Sequence, residues 1–394
     1  MRVRCFLYVT LIVLISSCKK PYLPPVVSSG NSYLVVEGTI NGGLDPTVIK
    51  LSRTVKLSSN ASTNPVTGAV LTVEDNQAGA YPLTEITPGS YSANLSLNNS
   101  KKYRLRIKTP DNQQFVSDFV AVINSPSIDS ISYKIAGNGL NIYSNTHDSN
   151  NNTRYYRWDY QETWMIHSNY ASFFKSNGDT VLGRDMINDD INTCWLSDAS
   201  SNIIINSSAK LIKNVIADNP VTFIASTSEK LGVKYSILVR QYSLTSDAYN
   251  FWVNLKKNTE QLGSIFDAQP SQINGNIHSV TNPSQSVIGY ITAGSVSSQR
   301  IFIENRQLPN WLAISGYASC TLDSLLYKYY PPGARDPINQ INQKINYNKG
   351  ATYPEIPVNA IGKPGSNPIG YTASKPECVD CTLRGTNKQP AFWR

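Results

Sequence analysis

Short runs of β-branched and aromatic residues, separated by turn-forming residues, recur along most of this 394-residue chain. YLVVEGTI (33–40) and YRLRIKT (103–109) are two such runs, and each is followed by a turn cluster, NGG at 41–43 and PDN at 110–112. Runs of this length, spaced by Gly, Pro, Asn and Asp, are typical of β-sandwiches. We therefore predict a mostly β fold.

Two of the predicted strands have a strong alternation. In the first, Tyr103, Leu105 and Ile107 alternate with basic residues, which predicts one buried face and one solvated cationic face. In the second, over residues 155–166, both alternating sets contain aromatic residues. Either set can fill a core or stack on a sugar, and we expect core packing.

One helix is predicted, over residues 245–262. Hydroxyl residues at 243–245 can cap its start, and Gly263 supplies a left-handed residue at its end. One stripe follows the helical repeat and should be buried; it consists of Ala248, Trp252, Leu255, Thr259 and Leu262.

The length of the chain favours two or three domains. We predict an N-terminal immunoglobulin-like or transthyretin-like β-sandwich over residues 33–124. A second β-sandwich-like domain should occupy residues 125–328, carrying the helix and an irregular loop insertion at 171–219. The Pro-, Gly- and Asn-rich residues 329–394 should form a long irregular tail that wraps over the formed domains.

The first 17 residues have the pattern of a signal peptide, with two arginines before a short apolar run. The run ends in Ile15-Ser16-Ser17-Cys18, which matches a bacterial lipobox and makes Cys18 the predicted lipid attachment site. Residues 18–32 would form a lipidated tether, since they are rich in Pro, Ser and Gly. The alternative is an ordinary signal peptide with an incidental cysteine. Lys19 lacks the acidic character of an inner-membrane retention signal, so the outer membrane is the expected location.

Four further cysteines, Cys194, Cys320, Cys378 and Cys381, would lie in an oxidising compartment. Disulfide bonds are the expected outcome, and they would attach the tail to the second domain. A four-sulfur zinc site and a Cys378–Cys381 redox pair are the alternatives, because these two cysteines have C-x-x-C spacing.

The sequence lacks the motifs of several common enzyme classes. His147, His167 and His278 lack metal-ligand spacing, and no nucleophile elbow, P-loop or dinucleotide fingerprint is present. Asp189 and Asp190 can serve glycoside hydrolysis only at a suitable spatial separation. We expect no enzymatic activity, cofactor or metal. Nucleic acid is not an expected partner, because the formal charge falls from +8 to +6 without Arg2 and Arg4 and is not clustered.

Several stretches together resemble a family of Bacteroidota lipoproteins known as domain-of-unknown-function family 4249. They are YLVVEGTIN (33–41), IKLSRT (49–54), PVTGAVLTVED (65–75), YRLRIKTPDNQQFVSD (103–118), SLTSDAYNFWVNLKKNTEQLGSIFDAQPSQINGNIH (243–278) and CVDCTLRGTNKQPAFW (378–393). The resemblance implies an accessory subunit encoded beside a TonB-dependent outer-membrane transporter. Surface-export signals in this group place acidic residues after the lipidated cysteine, whereas Lys19 and Lys20 follow here, so the leaflet stays undecided.

The expected function is therefore that of a lipid-anchored, non-enzymatic binding subunit of such a transporter, which assists substrate capture or gating in nutrient uptake. A peptide or a glycan would be its ligand. The alternatives are a surface glycan-binding or glycan-cleaving lipoprotein, suggested by 23 Tyr and 6 Trp, and a structural envelope protein.

Overall fold

The computed structural model describes residues 32–55, 64–260, 275–317 and 319–394. Strands dominate these ranges, which confirms the prediction of a mostly β fold. Cys18 and most of the predicted tether lie outside the described residues, so lipidation stays a prediction.

The described ranges contain 24 strands and three α-helices. The strands are β1 (Leu34–Asn41), β2 (Thr47–Arg53), β3 (Val70–Asp75), β4 (Ala80–Thr87), β5 (Ser90–Ala93), β6 (Lys102–Lys108), β7 (Gln114–Ser117), β8 (Val120–Ala121), β9 (Ile128–Ala136), β10 (Gly139–His147), β11 (Tyr155–His167), β12 (Phe174–Ser176), β13 (Val181–Gly183), β14 (Thr193–Ala199), β15 (Ile204–Ser207), β16 (Val215–Ala225), β17 (Lys234–Leu244), β18 (Ile277–Ser279), β19 (Val287–Ile288), β20 (Ala293–Gly294), β21 (Ser297–Glu304), β22 (Asp323–Leu326), β23 (Ile356–Ile361) and β24 (Gly370–Ser374). The α-helices are α1 (Ser246–Glu260), α2 (Gln340–Lys344) and α3 (Pro376–Val379).

The N-terminal sheet has the order β18-β7-β6-β3-β4-β5-β2-β1-β19, with β8 beside β6 and β20 beside β1. Its inward side chains form one core. In β6 the predicted alternation is confirmed, because Tyr103, Leu105 and Ile107 are buried. The outward Arg104 and Arg106 bind the carboxylate of Glu74 on β3, at 2.7 and 2.6 Å.

The boundary predicted between the first two domains does not hold after the helix. β18 pairs with β7, and β19 and β20 pair in parallel with β1, so these three strands belong to the N-terminal sheet. Assigning all of residues 125–328 to the second domain is therefore wrong. The strands cover both edges of the sheet and add Ile277, Val287 and Ala293 to its core.

The second domain consists of two sheets packed face to face. One has the order β16-β10-β9, and the other has the order β14-β11-β17-β21 with β15 also beside β11. The core between them contains large side chains of both sheets, including Leu140, Ile142, Tyr156, Trp158, Ile237 and Val239. The longest strand, β11, pairs with β17 over its first 11 residues.

The predicted loop insertion at 171–219 is wrong for its second half. β14 and β15 both pair with β11 and are part of the framework. These strands are hard to predict from the sequence because only Cys194 and Trp195 of β14 are buried, and its last three residues, 197–199, are exposed. β12 and β13 do form a separate hairpin. The ring of its Phe174 packs edge-on against Tyr371, with the ring centres 5.0 Å apart.

The C-terminal region is more regular than predicted. β22, β24 and β23 form a three-stranded sheet, and α2 packs on it. The apolar residues of this small core are Leu325, Ile341, Ile345, Tyr371 and Ala373.

Helix α1 starts one residue after the predicted start, and its predicted last residues lie outside the described range. Its buried residues are Ala248 and Phe251, whereas Trp252 is only half-buried and Thr259 is exposed. The predicted stripe is therefore right for Ala248 and wrong for Trp252 and Thr259. The physical reason is that α1 covers the polar side of β11, where Trp252 stacks on the guanidinium of Arg157, 4.7 Å from the ring centre.

This difference predicts unequal costs for two tryptophan substitutions. Trp158 is 1% exposed, and its indole N–H donates to Gln241 Oε1 at 3.0 Å. Trp158→Ala should therefore cost about 3–5 kcal/mol of stability. Trp252→Ala loses a cation–π contact and only partial burial, about 1–2 kcal/mol. Thermal unfolding of the mature chain measures both, and an equal loss in the two variants would contradict this packing.

Candidate functional site

The four predicted cysteines form two disulfide bonds, Cys194–Cys381 and Cys320–Cys378. The disulfide prediction is confirmed. The zinc and redox alternatives do not hold, because disulfide sulfurs are not thiolate ligands and Cys378 is not bonded to Cys381. Within the described ranges, no group of three or more His, Cys, Asp or Glu side chains is arranged to hold a metal ion. The Cys194–Cys381 bond attaches the C-terminal region to β14.

From Cys381 onward the chain runs along the five-stranded sheet. Trp195 and Thr386 form a β-bridge, and Arg384 binds the carboxylate of Glu229 through two hydrogen bonds of 2.8 and 2.6 Å. Trp393 packs edge-on against Trp195 and Phe302, with ring centres 6.2 and 5.7 Å apart. The last residues of the chain therefore lie against the outward side of this sheet.

The same side of the sheet carries the most distinctive cluster of the molecule, which we call the cationic–aromatic face. Its members project from β11, β17 and β21, with one aromatic ring added by α1 and one by the C-terminal segment; they are Arg157, Asp159, Arg240, Tyr242, Arg300, Trp252 and Phe392. The register explains the grouping, because Arg157 lies opposite Tyr242 and Asp159 lies opposite Arg240.

Stacking on aromatic rings fixes two of the three guanidinium groups of this face. Arg157 lies 4.1 Å from the ring centre of Tyr242 and 4.7 Å from that of Trp252. Arg300 lies 3.6 Å from the ring centre of Phe392. Such contacts hold a planar cation in place while its edge remains open to other partners.

The electrostatics of the face are dominated by one shared carboxylate. Asp159 accepts from Arg240 Nε at 2.6 Å and lies 3.5 Å from Arg157 Nη1. Burial lowers the pKa of Arg240, but Asp159 outweighs this effect and the pKa is raised. Burial is also the main cause that raises the pKa of Tyr242 to about 12, so its hydroxyl is neutral. Three cations and one anion thus share a partly exposed surface.

Two open polar clefts lie elsewhere in the second domain. The larger, of about 380 Å³, is lined by residues 124–127, Asp129, residues 147–150 and Asn152. Its His147 Nδ1 lies 2.8 Å from Asp129, and this hydrogen bond raises the pKa of the imidazole. The other, of about 300 Å³, contains Glu162, which is bound by Lys230 and by the hydroxyl of Tyr235 at 2.9 Å.

The other residues considered from sequence are not brought together. His278 pairs with Asp118, and His167 contacts Thr193. Asp189 binds Lys175 at 2.7 Å and Arg184 at 3.1 Å, while Asp190 accepts from the backbone N–H of Asn192. The adjacent aspartates are thus engaged in separate structural contacts.

Sequence reasoning missed Arg240, Arg300 and Phe392. The alternation in β17, where Arg240 and Tyr242 are interleaved with buried Val239 and Gln241, was a usable signal for the first. No local signal places Phe392 beside Arg300, because that contact joins distant parts of the chain.

The described residues thus define a disulfide-braced β protein with a large core in each of two β-sheet domains and a small core in the C-terminal region. Residues 19–300 match the family described as Domain of unknown function (DUF4249), which is more than half of the chain, and the chain belongs to this family. This confirms the family resemblance.

No curated protein matches the chain in sequence. Among solved structures, the chain is similar to the chitinase ChiA74 from Bacillus thuringiensis at 11% identity and a TM-score of 0.15. The match covers 51% of this chain and 29% of that one, and a likeness this weak carries no argument. Within the described residues, no helix has the length and apolar content required to cross a bilayer.

The Glu229–Arg384 pair makes the attachment of the C-terminal segment sensitive to acid. Burial raises the pKa of Glu229, but hydrogen bonds from Arg384 and from Gly316 N–H outweigh it and lower the pKa below 4.5. The stabilisation is present above about pH 4.5 and is lost as the pH falls through the lowered value. The melting temperature of wild type should therefore drop more between pH 7 and pH 3 than that of Glu229→Gln.

The matched control is Glu37→Gln, which changes an exposed glutamate of β1. It should keep the wild-type drop. A Glu229→Gln variant with the same drop as wild type would contradict a stabilising role for this pair.

Proposed function

We propose that this protein is a lipid-anchored, non-enzymatic accessory subunit of an outer-membrane TonB-dependent transporter, and that it captures substrate on the cationic–aromatic face. The anchor would be Cys18, at the outer membrane. Family membership and the lipobox support this proposal, and the face supplies the binding surface.

The observation that carries the proposal is a group of three guanidinium groups on a partly exposed sheet. Arg157 and Arg300 stack on aromatic rings, and Arg157 and Arg240 share the carboxylate of Asp159. Arg and aromatic side chains dominate the energetics of binding surfaces, because they make large contacts at low entropic cost. Here the side chains are ordered in advance by stacking and by the disulfide-braced C-terminal segment. Such preorganisation lowers the cost of binding.

The contacts of the buried carboxylate Glu162 in one of the clefts indicate a structural role and not a catalytic one. Glu162 is 5% exposed and is held by Lys230 and Tyr235. A glycosidase needs two carboxyl groups facing a scissile bond, one of them available as a proton donor. Glu162 already serves as a hydrogen-bond acceptor for both of its neighbours.

The test is co-purification from outer membranes in mild detergent. The tagged wild-type chain should bring down a TonB-dependent transporter in comparable amount, and deletion of the gene should reduce uptake of the transported nutrient. Cys18→Ser should prevent acyl labelling and remove the chain from the outer-membrane fraction. Recovery of wild type only as a free monomer would overturn the proposal.

A second candidate is a glycan-cleaving lipoprotein, favoured by the cleft that Glu162, Asp198 and Phe223 line together. A reducing-end release assay separates the two functions. Release by wild type that is abolished in Glu162→Gln would favour this candidate, whereas the accessory subunit requires no release.

A further inference from the structure

The cationic–aromatic face already contains one bound carboxylate, and that contact shows what its arginines recognise. Asp159 lies between Arg240 and Arg157, 2.6 and 3.5 Å from their nitrogen atoms. The guanidinium fork matches the planar geometry of a carboxylate and binds it through charge-assisted hydrogen bonds. Two neighbouring arginines with a carboxylate between them are thus a stable arrangement on this sheet.

Arg300, on the other side of Arg240, lacks such a partner. It lies opposite Leu238 and diagonally across from Arg240 in the β17–β21 pairing. One of its nitrogens donates to Ser236 Oγ at 3.0 Å, and its plane stacks on Phe392. No carboxylate of the described residues forms an ion pair with it. Burial and the charge of Arg240 both lower the pKa of Arg300.

A half-buried cation that is repelled by its neighbour and has no anion beside it is destabilised. The nearby carboxylates form ion pairs with other basic residues. Asp159 lies between Arg240 and Arg157. Glu304 lies 3.5 Å from Lys234 and 2.5 Å from Arg306. Asp45, on the turn between β1 and β2, adds a weaker attraction that acts on Arg240. The open surface between Arg240 and Arg300 is formed by Leu238 and the exposed Ser298.

We propose that the gap between Arg240 and Arg300 binds a carboxylate group of the ligand, which repeats the Arg–carboxylate–Arg arrangement that Asp159 forms on the other side of Arg240. The ring of Phe392 holds Arg300 at one side of this gap. The ligand is a carboxylate-bearing molecule, either an acidic peptide or an acidic sugar. This inference rests on the proposed function, since the ligand is the substrate that the accessory subunit would capture.

Isothermal titration of the mature chain at low ionic strength tests the proposal. The probes are a tetraglutamate peptide and a galacturonic acid tetramer, with tetraglutamine and a galactose tetramer as their neutral counterparts. Wild type should bind at least one acidic probe about tenfold or more tightly than its neutral counterpart, because charged hydrogen bonds add this much. The probe that binds identifies the source of the carboxylate. Equal affinity for charged and neutral probes would overturn the proposal.

Arg300→Gln removes the positive charge but keeps a polar side chain. It should lower the affinity for the acidic probe about tenfold or more. The matched control is Arg306→Gln, which changes the nearby arginine that follows β21 and is 83% exposed. It should alter the affinity by less than about twofold, since surface charges outside a site act weakly. Equal losses in the two variants would also overturn the proposal.

Leu238→Glu provides a test that does not depend on losing a native group. The new carboxylate would stand directly opposite Arg300 and occupy the gap from within the chain. This variant should melt at a higher temperature than wild type and no longer bind the acidic probe. Unchanged probe binding in Leu238→Glu would place the carboxylate site elsewhere.

The outcome is separable from that of the transporter experiment, because titration uses the purified chain alone. If the chain co-purifies with a transporter but does not bind the acidic probes, only the proposed carboxylate site would be overturned. If the chain is recovered only as a free monomer but still binds an acidic probe more tightly than its neutral counterpart, only the proposed transporter partnership would be overturned.

Discussion

The register between β11 and β17 is the constraint on which both the core and the cationic–aromatic face depend. It pairs Tyr155 with Leu244 and continues without a bulge to Met165 and Lys234. A slip of one residue would turn every side chain of β11 to the other side of the sheet. Arg157 and Asp159 would then enter the core, where unpaired charges cost several kcal/mol each. Burial of Tyr156 and Trp158 fixes this register, and the register in turn places Arg157 and Asp159 on the outward face.

This arrangement also explains why the helix and the end of the chain are where they are. The outward side of the sheet is too polar to form a second core, yet it carries rings and guanidinium planes that gain from being covered. Helix α1 covers one end with Trp252, and the disulfide-linked C-terminal segment covers the other with Phe392 and Trp393. The surface between them stays open around Arg240 and Ser298.

Local features of the fold could be predicted from sequence, but long-range pairings could not. The alternation of β6 and the position of α1 follow from patterns within a few residues. By contrast, β19 pairs with β1 although more than 200 residues separate them in the sequence, and the residues Val287–Ile288 do not indicate which strand they pair with. Trp252 was misplaced because a helical stripe shows only that one side is covered, and here Arg157 lies under it. The sequence predicts that the four cysteines form disulfides, but it does not predict which cysteines pair. Nor does it predict the contact between Arg300 and Phe392.

The proposed function depends most directly on the open part of the cationic–aromatic face, where the protein would bind its substrate. A photocrosslinking amino acid placed at Ser298, which is exposed on this face, tests this binding in living cells. Ile135, which is 49% exposed on β9, gives a control position on the other sheet. The account predicts a discrete covalent adduct from position 298 and none from position 135. An adduct from position 135 with none from position 298 would contradict it.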